Sequence, residues 1–198
     1  MGLMRVLADA AKVKGLIDGL AEGIANDMKR ATKGGRWAVV GIRNRGDLLA
    51  SRLAAQLRPD HVGTLDMTLY RDDLTELGPQ PTVRTTEIDF DVDGTNIVLV
   101  DDVLMSGRSV RASLQLLMDL GRPRRVWLAV LADRGGRELP ISPDHVGFVL
   151  SRDMPGGLGD GEWVDVHLQP MDAEDAIVVR SIEDRPPAQR AQQGETCG

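Results

Sequence analysis

Val13, Leu16, Ile17, Leu20, Ile24 and Met28 recur at steps of three and four, the apolar stripe of an amphipathic helix over about residues 9–31. Lys29, Arg30 and Lys33 close that stripe and Gly34-Gly35 stop it, as suits cations near a helix C-terminus. The pattern then changes period. WAVVGI (37–42) is an unbroken apolar run with β-branched residues, the mark of a buried strand. Leu48, Leu49, Leu53 and Leu57 predict a second helix that Pro59 ends. TLDMTLY (64–70) alternates, with Leu65, Met67 and Leu69 on one face, and reads as a strand.

Residues 71–86 (RDDLTELGPQPTVRTT) have no sustained period and read as a long loop, a length usually tied to function or disorder. Strand signals return at 87–92, followed by the hairpin-turn pair Asp93-Gly94. NIVLVDD (96–102) is the strongest buried strand. A helix follows from about Ser109 to Leu120, and VWLAVLAD (126–133) is a further buried strand. Shorter strand-like pieces lie at 145–150, 163–168 and 176–180. Residues 183–198 are polar with paired prolines and read as a disordered tail. Buried strands alternating with helices predict an α/β fold, a doubly wound and mostly parallel sheet in one domain over residues 1–182.

Composition narrows the classes. The chain has 198 residues, no apolar run near the roughly 20 of a membrane helix, and no secretory apolar core at its start. Its single cysteine, Cys197, permits no intramolecular disulfide, which points to a cytoplasmic protein. Three scattered histidines argue against a histidine-rich metal site. The net charge of −6 and the six aromatics speak against a broad nucleic-acid-binding face. Residues 1–36 nevertheless carry seven Lys/Arg against four Asp/Glu.

In doubly wound sheets, ligands bind beyond the C-terminal ends of the strands. There the central strand runs into Asp101, Asp102, Val103, Leu104, Met105, Ser106, Gly107, Arg108 and Ser109, and a helix starts at once. Adjacent carboxylates suit the vicinal hydroxyls of a sugar, or a divalent cation through water. Hydroxyls, a glycine and a helix N-terminus make a phosphate cradle. Together they describe a ribose 5-phosphate site. A strand ending in Asp-Asp is also the look of a Walker B strand, but no G-x-x-x-x-G-K-[ST] occurs. No G-x-S-x-G accompanies the histidines, which removes support for a serine hydrolase.

This segment resembles the 5-phosphoribosyl 1-pyrophosphate (PRPP) signature of the type I phosphoribosyltransferases. VGIRNRGDLLASRLA (40–54), TLYRDDL (68–74) and LADRGGRELPI (131–141) narrow the likeness to the pyrimidine operon attenuation proteins that double as uracil phosphoribosyltransferases. The likeness runs over about residues 9–182. It implies a type I phosphoribosyltransferase fold with a small hood, whose mobile loop is 71–86. It also implies formation of UMP and pyrophosphate from uracil and PRPP, with Mg²⁺ held by PRPP and water near Asp101 and Asp102.

By that resemblance, Asp101 and Asp102 hold the ribose hydroxyls while Ser106, Gly107, Arg108 and Ser109 hold the 5-phosphate, serines standing where the family generally has threonine. Arg43, Asn44, Arg45 and Gly46 match the pyrophosphate loop, and Arg43, Arg45 and Arg71 would neutralise the leaving group. Asp133, Arg134, Gly135 and Arg137 fall where the family builds its base pocket, within a region of about 133–182. Met105 stands where purine-specific relatives carry an aspartate, and residues 71–86 lack the lysine of orotate-specific ones, so uracil is the implied base. The family also implies a homodimer or larger, and regulation through an mRNA leader. Lys12, Lys14, Lys29, Arg30, Lys33 and Arg36 are the candidates for RNA, although Asp18-Gly19 interrupt them. The competing readings are a non-catalytic attenuator that binds PRPP or UMP, and a phosphoribosyltransferase for another base.

Overall fold

The computed structural model describes residues 4–31, 35–66, 86–150, 158–159 and 161–181. Eight strands and three helices follow in the order β1 (Arg5–Ala8), α1 (Ala10–Ala31), β2 (Trp37–Ile42), α2 (Gly46–Leu57), β3 (His61–Leu65), β4 (Asn96–Leu104), α3 (Arg108–Leu120), β5 (Arg125–Asp133), β6 (His145–Val149), β7 (Glu162–His167) and β8 (Ala176–Ser181). Five of the strands form a parallel sheet in the order β3-β2-β4-β5-β6.

The unbroken apolar runs of β2, β4 and β5 follow from burial on both faces. Alternate residues serve two layers. Val39, Val98, Val100, Trp127, Ala129 and Leu131 pack with the apolar stripe of α1 and with Leu49 and Leu53 of α2. Ala38, Val40, Ile97, Leu99, Leu128 and Val130 face the other way, onto Val110, Leu116 and Leu117 of α3. A polar residue at either set would be buried without a partner, so the sequence has none there.

The remaining strands do not join this sheet. β1, β8 and β7 make a separate antiparallel sheet in that order. Val164, Val166, Ile177 and Val179 pack into the α1 side of the main core, so the two sheets share one buried cluster. β1 has only four residues and was not anticipated, because so short a run carries no readable period.

Two strand expectations need correcting. The anticipated strand over 64–70 begins earlier, at His61, and ends at Leu65, pairing in parallel with β2 along the main sheet's edge. Residues 67–70 lie outside the described part. The 87–92 segment makes a single bridge, Glu87 to Thr64, rather than a strand. Its alternation has another cause: Ile88, Phe90 and Val92 insert into the α3-side core without a ladder. The Asp93-Gly94 turn, with Gly94 at φ +69°, therefore leads into β4 rather than joining a hairpin. All of 71–85, with Arg71, and the 183–198 tail lie outside the described residues.

Candidate functional site

The strand order reverses between β2 and β4: β2 leads outward to β3, and the chain then returns to place β4 on the other side of β2. The connections leaving the two strands diverge there and open a crevice at their C-terminal ends. Residues 43–46 leave β2 on one side of it, and residues 101–109 end β4 and lead into α3 on the other. The two segments meet at Gly46. A Cβ built there would lie 2.7 Å from the Val100 carbonyl oxygen, 3.1 Å from the Asp101 Cα and 3.4 Å from the Asp101 Oδ1. Only glycine lets the start of α2 come this close to the acid pair.

Asp101 is 7% exposed, while Asp102 is partly open to solvent. Each carboxyl is held by the next residue's backbone: Asp102 N–H donates to Asp101 Oδ1 at 3.0 Å, and Val103 N–H donates to Asp102 Oδ1 at 2.9 Å. Burial, then the neighbouring Asp102 charge, lifts Asp101 well above the ordinary carboxylate value. Burial also raises Asp102, against the opposing pull of Arg45.

A raised carboxyl favours the fold when protonated, and that advantage is lost as pH climbs from the unfolded value of 3.8 through the raised native one. Asp101→Asn therefore gains stability over the parent chain through that window and keeps the gain at neutral pH. Melting curves of the two proteins between pH 3.5 and 8 measure the gap, and a gap that is flat with pH contradicts the assignment.

The turn after β4 is built from both sides. Gly107 caps α3 at φ +88°, a conformation that favours glycine, and its Cβ position would press on Ile141 at 3.3 Å. Ser106 Oγ accepts the Arg108 N–H at 3.3 Å, and Ser109 lies in the first turn of α3. Arg108 pairs with Glu138 at 2.6 Å at the surface. Such a turn, at the positive end of a helix, suits an anion.

The loop after β5 runs alongside. Arg134 N–H donates to the Leu104 carbonyl, and the Glu138 and Leu139 N–H groups both donate to the Ser106 carbonyl, each at 3.1 Å. Asp133 Oδ1 accepts the Gly135 N–H at 2.9 Å. Arg137 braces the two loops. It donates to the Met105 carbonyl at 2.9 Å, the Ile141 carbonyl at 3.0 Å and Asp133 Oδ2 at 2.6 Å. A Cβ at Gly136 would lie 3.7 Å from Met105 Cγ, so Met105 and the 133–137 loop border one space.

The 43–46 turn contains a cis peptide between Arg43 and Asn44. Arg43 Nη2 pairs with Glu87 at 2.9 Å, and its Nε stands 4.0 Å from Asp47. Arg45 turns to the small sheet: its Nε and Nη2 each donate to Asp172 at 3.0 Å, and its Nη1 lies 3.6 Å from Asp165. Sequence reading did not single out Asp165, Asp172 or Glu87. Their only sequence signal is a charge inside short apolar strands or turns, which on its own names no partner. Among the described residues, no group of three His, Cys, Asp or Glu side chains could hold a metal, and no helix is long and apolar enough to cross a membrane.

Residues 7–162 match the family of the phosphoribosyl transferase domain. The chain is 50% identical over 162 residues to the bifunctional protein PyrR of Pelotomaculum thermopropionicum, covering 79% of this chain and 86% of that protein. It is also 50% identical over 160 residues to the protein of the same name from Thermus thermophilus, covering 78% and 85%. Among solved structures, a hypoxanthine phosphoribosyltransferase from Trypanosoma cruzi, in a ternary substrates complex, superposes with a TM-score of 0.65 at 19% identity, over 90% of this chain and 96% of that one. A hypoxanthine-guanine phosphoribosyltransferase from Bacillus anthracis gives a TM-score of 0.61 at 15% identity, over 89% and 97%. At such identities the solved structures speak for the fold alone.

Proposed function

The chain belongs to the phosphoribosyl transferase domain family and, within it, to the bifunctional PyrR proteins, and from that membership we propose that it transfers the 5-phosphoribosyl group of PRPP to uracil. One observation carries the reading. The acid pair at the end of β4, the glycine-capped turn at the start of α3 and the 43–46 turn at the end of β2 converge on the crevice where the strand order reverses. Residues 1–182 act in this as one domain, consistent with the core cluster common to both sheets.

Asp101 and Asp102 receive the ribose hydroxyls, and their strand-end backbone bonds hold them in place for it. Ser106, Gly107, Arg108 and Ser109 receive the 5-phosphate. The backbone of the 43–46 turn receives the pyrophosphate. Arg43 is suited to follow the leaving charge, because its partner Glu87 has a side chain 67% exposed, and an ion pair that open is worth little to the fold. The base lies over Met105, against the backbone of Asp133, Arg134 and Gly135, in a pocket whose walls Arg137 braces. Uracil N1 forms the bond to the anomeric carbon as the bond to pyrophosphate breaks, and positive charge grows on the sugar.

Magnesium fits here as a companion of PRPP. The partly open Asp102 is the residue placed to meet its water shell, whereas Asp101 is too buried to do so. When bound, it would offset the pyrophosphate charge.

A second, regulatory role is suggested by the word bifunctional in the relatives' name. Its RNA candidates Lys12, Lys14, Lys29 and Arg30 lie on α1, but Lys14 pairs with Asp18 at 2.7 Å and Arg30 lies 3.9 Å from Asp27. Lys33 lies outside the described residues, and Arg36 directly precedes β2.

Purified protein with Mg²⁺, PRPP and labelled uracil, run beside hypoxanthine, guanine and orotate, tests the main reading. UMP is the expected product. No product with any base, despite PRPP binding, sinks the enzyme reading and leaves the sensor. A UMP-dependent RNA affinity that falls steeply with salt would establish the regulatory half.

A further inference from the structure

Arg45 and Arg52 stand seven residues apart, two turns along one face of α2 and its cap. Both reach the same short turn after β7. Arg45 takes both oxygens of Asp172, and Arg52 Nη2 reaches Asp175 at 2.8 Å and the Gln169 carbonyl at 2.8 Å. Each aspartate also closes its own turn: Asp172 Oδ2 accepts the Leu168 N–H and Asp175 Oδ1 accepts the Gln169 N–H, both at 2.8 Å. Asp165 is anchored in turn by His167 at 2.9 Å and faces Arg180 at 3.7 Å. The small sheet is thereby bolted to α2 at two points, and one of them is the pyrophosphate turn itself.

The partners of Arg45 decide its role. The side chains of Arg45, Asp172 and Asp165 are only 19%, 17% and 12% exposed. Swinging the guanidinium toward pyrophosphate would take from the largely buried Asp172 its ion-pair partner, while Asp165 keeps His167 and Arg180, and breaking a pair of this kind is unfavourable. The Asp172 hydrogen bonds raise Arg45 above its ordinary value, and Asp172 falls below its own despite its burial, so both partners favour the charged pair. For Arg43 that cost is smaller: its close partner Glu87 is exposed, and Asp47 stands 4.0 Å away.

We propose that Arg45 is a positioning residue, a strut that holds the 43–46 turn to the small sheet through Asp172 and Asp165, and not a ligand of pyrophosphate. The inference rests on the phosphoribosyl-transfer reading of the crevice. It assigns to Asp172 and Asp165, on a sheet remote in sequence, an effect on PRPP and pyrophosphate that passes through Arg45.

The two roles for Arg45 predict opposite signs at Asp172. Mg²⁺-pyrophosphate affinity, read by calorimetry on the full chain, is the measurement. For a strut, Asp172→Asn and Arg45→Lys each weaken binding about tenfold through misplacement of the turn. The double variant is then no weaker than either single one. In turnover, the KM for PRPP rises while that for uracil stays within about twofold. Asp175→Asn, which loosens only the far bolt, lowers Tm without moving the KM for PRPP, so lost stability alone does not imitate the result.

For a direct ligand, Asp172→Asn leaves pyrophosphate affinity unchanged or tightens it by freeing the arginine. Arg45→Lys, which keeps the charge, retains most of it, and either outcome overturns the strut. Should Asp172→Asn not fold, Arg45→Lys decides alone. A wild-type chain that binds pyrophosphate but makes no UMP sinks the transfer reading and leaves this comparison intact. Failure of the wild type to bind pyrophosphate overturns the strut.

Discussion

Asp102→Asn lowers kcat/KM for UMP formation by roughly 10- to 10⁴-fold and leaves the fold intact. The asparagine keeps an oxygen for the Val103 N–H at the position where Asp102 Oδ1 now accepts it. It removes a carboxylate that burial pushes upward, so the folded state loses nothing by the change at neutral pH. What goes is a charged acceptor for the ribose hydroxyls, and a hydrogen bond to a charged group is worth about 1.5–3 kcal/mol. Loss of one or two of these corresponds to roughly 10- to 10⁴-fold in rate. Steady-state kinetics beside a melting curve reads both quantities. Activity within a factor of three of wild type would mean that the acid pair does not hold the sugar. A collapse of Tm would mean that Asp102 is there for the fold.

Gly46→Ala has the second large effect, and it falls on stability and activity together. The new Cβ would sit 2.7 Å from the Val100 carbonyl oxygen and 3.1 Å from the Asp101 Cα. Both atoms belong to the backbone of the central strand, which hydrogen-bonds β2 on one side and β5 on the other and cannot recede. The start of α2 must move instead, and overpacking of this kind costs about 1–3 kcal/mol. In a chain of this length each kcal/mol is worth roughly 2–4 °C in Tm. The same movement carries the 43–46 turn away from the acid pair, so kcat/KM for PRPP falls with it. Gly19→Ala is the matched control. A Cβ at that exposed position in α1 meets nothing within 4 Å, and alanine there stabilises by about 0.5–1 kcal/mol through helix propensity. Equal Tm values for the two variants would contradict the close approach at Gly46.

How much of this was legible beforehand follows from the range of each interaction. WAVVGI and NIVLVDD read as buried strands because burial on two faces leaves no polar position in the run. Helix α1 read correctly to within a residue because its stripe, Val13 to Met28, runs over about four turns. The phosphate turn was legible because its chemistry is contiguous: hydroxyls, glycine and helix start all lie within Ser106–Ser109. The 87–92 segment misread because an alternating run satisfied by packing looks the same as one satisfied by a ladder.

Local composition and period were therefore enough to determine the main elements, the acid pair and the phosphate turn, since each is written over a few neighbouring residues. Tertiary structure alone decided the rest. It set the strand order that opens the crevice between β2 and β4 and split β1, β7 and β8 into a sheet of their own. It also brought Asp172, 127 residues away in the chain, onto Arg45. No pattern of neighbours encodes a charge's partner at such a distance. Arg45 in isolation reads as a free cation for a phosphate, and only the packed small sheet shows that its Nε and Nη2 are already engaged by Asp172.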